Sequence, residues 1–213
     1  MFDEWQVASG QWRNRVPQPA PFCNSGVVAT PGTLTPMRYV MRQKLWSFGD
    51  DFTIQDEAGN DRFFVDGKAI SLRDTLSFQD MSGQELLVIR RRLLSWGATF
   101  DIAAGADVDG GDGRTLAVVK QKLFTLFKYR FTVDETATPS DVDLEVAGDF
   151  LDHEYTFTRL GSGDGGHPVA QVSKRWFTLR DTYGVDIAPG ENDALLLACT
   201  VVIDQATEDK RRG

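Results

Sequence analysis

Cysteine and histidine are scarce in this chain, proline is scarce beyond residue 36, and no apolar run is long enough to span a bilayer. Each shortage excludes something. The two cysteines, Cys23 and Cys199, lie in unlike contexts and indicate no disulfide framework. His153 and His167 lack metal-ligand spacing, so neither a metal nor another cofactor is expected. The longest stretch of nearly all apolar residues, 194–203, spans ten residues with one threonine among them, where a membrane-spanning helix needs about twenty. No basic stretch followed by an apolar run opens the chain, which argues against a secretory signal and makes a reducing cytoplasm the expected location. The net charge of −8 disfavours nucleic acid as a partner.

What is present describes one globular domain. With 213 residues and 41% apolar content, the chain can bury a sizeable core. Pro17, Pro19, Pro21, Pro31 and Pro36 crowd the first 36 residues, which show no apolar alternation and read as a flexible tail. Trp5 and Trp12 are unusual in such a tail and suit packing onto the body of the domain. Beyond it a short phrase recurs: a basic residue, a bulky apolar pair, a hydroxyl residue and another apolar side chain. It stands at Lys44–Phe48, Arg92–Trp96, Lys122–Leu126 and Arg175–Leu179. An aromatic and a β-branched residue follow each copy: Phe52 and Ile54, Phe100 and Ile102, Phe131 and Val133, Tyr183 and Val185. The spacing suggests two similar halves of about 80 residues.

Period-2 alternation broken by Gly49-Asp50, Gly59-Asn60 and Asp66-Gly67 predicts an antiparallel meander. Strands are expected over 38–48, 51–57, 61–65, 68–74, 76–80 and 85–94. A second set covers 115–127, 129–134, 141–147, 153–160, 169–179 and 183–187. Long Gly- and Asp-rich loops fall at 105–113 and 161–166. The only strong helix comes last: Asn192 or Asp193 can cap it, and Ala194 to Ile203 is apolar all round. Such a helix must be surrounded by protein. A barrel of about twelve strands leaves a lumen wide enough for a helix roughly 10–12 Å across. The expected organisation is therefore a tail over 1–36, an all-β barrel over 37–208 with a plug helix over 193–208, and a charged tail over 209–213.

Particular segments carry a family resemblance. Tyr39–Leu45 through Asp61–Gly67, Val172–Phe177, Asp181–Asp186 and Asn192–Leu197 resemble the LURP-one-related family over residues 37–207. That family is similar in fold to the tubby C-terminal domain and the phospholipid scramblases, which implies a twelve-stranded barrel around a central C-terminal helix. The resemblance implies a non-enzymatic binding or scaffold module. Its partner would be a phosphoinositide or other anionic lipid headgroup at a membrane periphery, or a protein. A scramblase-like membrane-lipid effector is the alternative, and a hydrolase comes a distant third.

Arg90-Arg91-Arg92 is the densest basic cluster of the domain, and alternation puts Arg90 and Arg92 on one strand face. With Lys120, Lys122 or Lys174 beside them, they suit a phosphate headgroup, since guanidinium contacts phosphate through paired donors. The structural alternative is a set of cations that protects a strand edge or pairs with acids. Asp107–Gly113 lacks calcium-loop spacing, and Val118 stands where a bidentate glutamate is required. Gly161–Gly166 has no following Lys-Ser or Lys-Thr for a phosphate loop. A cysteine nucleophile is unsupported, because Cys23 lies in the tail and Cys199 in the apolar helix.

Overall fold

Strands and turns follow the alternation closely, and the computed structural model describes residues 36–42, 51–67, 75–92, 97–106, 113–123, 129–135, 143–161, 166–175 and 182–212. The strands are β1 (Met37–Arg42), β2 (Phe52–Asp56), β3 (Asp61–Asp66), β4 (Thr75–Asp80), β5 (Glu85–Arg91) and β6 (Thr99–Ala104). The second set is β7 (Thr115–Leu123), β8 (Tyr129–Asp134), β9 (Leu144–Asp149), β10 (Glu154–Arg159), β11 (His167–Ser173) and β12 (Thr182–Ile187). Each strand pairs antiparallel with its sequence neighbours, and β1 pairs with β12, so the sheet closes into a barrel with no free edge.

Successive strands reverse, which gives the barrel two different ends. The entry end carries the β2–β3 and β4–β5 turns (57–60 and 81–84) and the last residue of β12, Ile187. The exit end carries the β9–β10 turn (150–153) and the final residues of β1, β5, β7 and β11. Helix α1 (Asp193–Arg212) runs from the first to the second. Near its start the Tyr39 hydroxyl donates to Asp193 at 2.6 Å, and farther along Asp204 meets residues at the exit end. Asn192 is the cap, its Oδ1 accepting from the Leu195 amide at 3.1 Å.

Burial explains why the helix is apolar on every side. Leu196 to Ile203 are at most 1% exposed, and Thr200 satisfies its hydroxyl on the Leu196 carbonyl at 2.9 Å. Around the helix, alternate strand residues such as Val65, Phe78, Ile89, Val119 and Phe157 close the core. The aromatic and β-branched residues that follow the recurring phrases all join this core, opening β2, β6, β8 and β12. The phrases themselves lie largely outside the described residues, as do the tail through residue 35, the Asp-rich 107–112 and the Gly-rich 162–165.

The segment 68–74, expected as a strand, lies outside the described residues. Two expectations need correction, the first being that no strand was expected over 99–104, where β6 lies. Thr99 to Ile102 alternates, but only for four residues before Ala103-Ala104-Gly105 ends the pattern, too short a run to mark a strand by alternation alone. The final helix continues through Arg212, so residues 209–212 form its last turn and not a separate tail. No helix among the described residues is long and apolar enough to cross a membrane.

Candidate functional site

The outer face of β5 to β8 gathers cations. On β5, Leu87 and Ile89 point into the core, so Arg90 and the following Arg92 point outward. Arg91 faces the other way, with its guanidinium 5.8 Å from the centre of the Phe100 ring. Arg92 is linked through its amide to the Thr99 carbonyl at 2.8 Å, and Thr99 pairs in register with Lys120. Arg92 and Lys120 therefore share one cross-strand row, two strand spacings or roughly 9–10 Å apart. Lys122 lies two residues farther along the same face.

Pairing within this face is uneven. Arg90 stands opposite Asp101 in register. Yet Asp101 gives both carboxylate oxygens to Arg92, at 2.7 Å to Nε and 2.5 Å to Nη2. That bidentate bond raises the Arg92 guanidinium pKa further. Arg90 is left exposed, and no carboxylate among the described residues pairs with Arg90, Lys120 or Lys122. Lys122 also faces Arg130 directly across β7 and β8, and Arg130 reaches sideways to Glu145. Like charges set directly opposite in a sheet oppose folding. Arg90, Arg92, Lys120 and Lys122 thus share one surface, with a third arginine, Arg130, that sequence reading missed.

A second polar cluster lies inside the barrel. Asp204, 2% exposed, accepts from the Tyr155 hydroxyl at 3.3 Å and from the Tyr183 hydroxyl. His153 Nε2 lies 3.4 Å from the same carboxylate, and its ring rests 4.5 Å from that of Tyr183. His153 occupies the β9–β10 turn with φ of 52°, a conformation that turns its imidazole inward. Its Nδ1 has no hydrogen-bond partner among the described residues. Burial first, and then the Asp204 charge, holds both tyrosines protonated well beyond their usual range. Burial likewise pushes the Cys199 thiol up and deprives it of nucleophilic character.

This cluster can stabilise but is poorly placed to catalyse. Each of its four residues is at most 5% exposed, so no solvent-borne substrate reaches them in this conformation. The sequence signal for it was a single carboxylate, Asp204, directly after ten apolar residues. Among the described residues, no three His, Cys, Asp or Glu side chains converge to hold a metal ion.

Comparison with known proteins agrees with the barrel and its plug. Uncharacterized protein YxjI of Bacillus subtilis is 32% identical over 77% of this chain and 90% of its own length. Protein LURP-one-related 15 of Arabidopsis thaliana is 24% identical over 87% of this chain and 88% of its own. An Arabidopsis thaliana protein solved by X-ray crystallography matches with a TM-score of 0.61, covering 81% of this chain and 92% of that one. At 21% identity that likeness concerns the fold alone. The LURP-one-related family model matches residues 37–204, from the first strand to the buried Asp204 of the plug helix, and the chain belongs to that family.

Proposed function

We propose that this chain is a non-enzymatic binding module that recognises anionic lipid headgroups on the outer face of β5 to β8. The observation that carries the reading is Lys122 set against Arg130, beside Arg90 and Lys120, which have no carboxylate partner among the described residues. Glu145 offsets the Arg130 charge, and a bound phosphate would offset those of Arg90, Lys120 and Lys122. Arg92, fixed by Asp101, contributes a guanidinium of set orientation. The lumen is filled by α1, so the site belongs on the outside.

Co-sedimentation tests the reading, using phosphatidylcholine vesicles with and without phosphatidylserine or a phosphoinositide. Wild-type protein binds the anionic vesicles, and binding weakens with salt, since exposed charges are screened over about 10 Å at 0.1 M. Replacing Arg90, Lys120 and Lys122 together by Ala abolishes binding. The melting temperature stays within about 3 °C, because solvent-exposed substitutions change stability little. Binding that survives the triple substitution, or wild-type protein that ignores anionic vesicles, refutes the proposal.

A further inference from the structure

Strand reversal sorts the charges of this chain between the two ends of the barrel. Arg90, Arg92, Lys122, Arg130, Lys174 and Arg175 all lie at or near the exit end. Lys210, Arg211 and Arg212 close helix α1 in the same direction. Two carboxylates at this end, Asp149 and Glu154, are engaged by the fold, while Asp152 in the β9–β10 turn stays exposed. Asp149 accepts from the Leu151 and Asp152 amides at 3.1 Å. Glu154 accepts from the Ser173 hydroxyl and the Lys174 amide, with Arg175 at 3.6 Å. The entry end is the reverse. Asp56, Glu57, Asp80, Asp134, Glu135 and Glu191 crowd it. There Arg159 is bound between Glu135 and Glu191 and Arg38 is held by Asp186, while Arg62 and Arg114 add two further cations that the acids outnumber.

We infer that the protein docks end-on to an anionic lipid surface, exit end first, with helix α1 steep to that surface and the acidic entry end pointing away. This orientation rests on the headgroup reading above and adds a geometry to it. It also reconciles binding with a net charge of −8. Six-residue strands at about 3.3 Å per residue, tilted in a barrel, hold the two ends roughly 15–20 Å apart. At physiological salt that is about two Debye lengths. The surface therefore attracts the near cations while the distant carboxylates are screened, and any tilt that lowers the acidic end is opposed. A side-on approach would bring both charge sets within reach together and lose this advantage. A planar surface fits one end of the barrel, whereas an extended polyanion such as DNA would run on past it toward the acids.

Two exposed apolar side chains allow the orientation to be read. Leu151, 52% exposed, lies in the β9–β10 turn at the exit end, and Met81, 50% exposed, lies in the β4–β5 turn at the entry end. In the full chain carrying Cys23→Ser, Leu151→Cys or Met81→Cys supplies one accessible thiol, because Cys199 is buried. Each thiol is labelled with a polarity-sensitive fluorophore and mixed with phosphatidylcholine–phosphatidylserine vesicles, with co-sedimentation measured in parallel. The expected result is a blue shift and quenching by brominated lipid at position 151, with neither at position 81. Equal responses at both positions, or a response at 81 alone, on protein that does sediment with vesicles would overturn the orientation and leave headgroup binding intact. Failure of both labelled proteins and the wild type to sediment would overturn the headgroup reading and the orientation with it. A response to a DNA duplex in the absence of any vesicle response would also overturn both.

Discussion

Replacing Tyr183 by Phe removes one hydroxyl and leaves the shape of the core unchanged, which isolates the interior polar cluster. Tyr183 is fully buried, and its hydroxyl donates to Asp204, a carboxylate only 2% exposed. A hydrogen bond to a charged group contributes about 1.5–3 kcal/mol, and no cavity accompanies this change. We expect a loss of about 2 kcal/mol, or roughly 4–8 °C in Tm for a domain of this size. Alkaline pH supplies a second signature. The folded state holds Tyr155 and Tyr183 protonated, whereas in the unfolded chain they ionise at about pH 10. Their contribution is therefore complete below pH 10 and is lost as pH rises above it. Each tyrosine adds a slope of about 1.4 kcal/mol per pH unit, or about 2.7 for the pair. Tyr183→Phe removes one of these two slopes, so the stability curves of the two proteins should converge roughly 1.5 units above pH 10. Urea unfolding at stepped pH measures both effects. A variant that melts within about 1 °C of wild type, with parallel curves through pH 11, would refute the reasoning.

Three further predictions probe the barrel and its plug. Leu196→Arg places a charge where the wild-type residue is 1% exposed and should cost several kcal/mol, enough to unfold a marginal domain; a soluble variant with wild-type melting contradicts it. Asn192→Ala removes the helix cap and should lower stability by about 1 kcal/mol in chemical denaturation, with Asn192→Ser close to neutral. Gly148→Ala adds a Cβ only 2.6 Å from the Tyr155 Cα at a φ of 147°, so a loss of more than about 2 kcal/mol is expected in thermal melts.

Local signals were enough to specify the architecture of this protein. Alternation and paired turn residues mark most of the strands, and ten apolar residues after Asn192 require a helix with protein on all sides, which only a wide barrel supplies. β6 escaped because its alternation, Thr99 to Ile102, runs for only four residues before two alanines and a glycine. The sequence also named Arg90, Arg92, Lys120 and Lys122, since the strand period alone assigns them a face. It could not say that Asp101 commits both oxygens to Arg92 and none to Arg90, because register and side-chain reach decide that choice. Nor could it join Asp204 to Tyr155, 49 residues away, or to the inward-turned His153, since these groups meet only once the barrel closes on the helix. The separation of charge is the plainest case. Along the chain, acids and bases follow one another every few residues and amount only to a net −8. Each reversal of strand direction returns the next turn to the opposite end, so twelve reversing strands turn that interleaving into an acid-rich end and an end where most of the exposed cations gather.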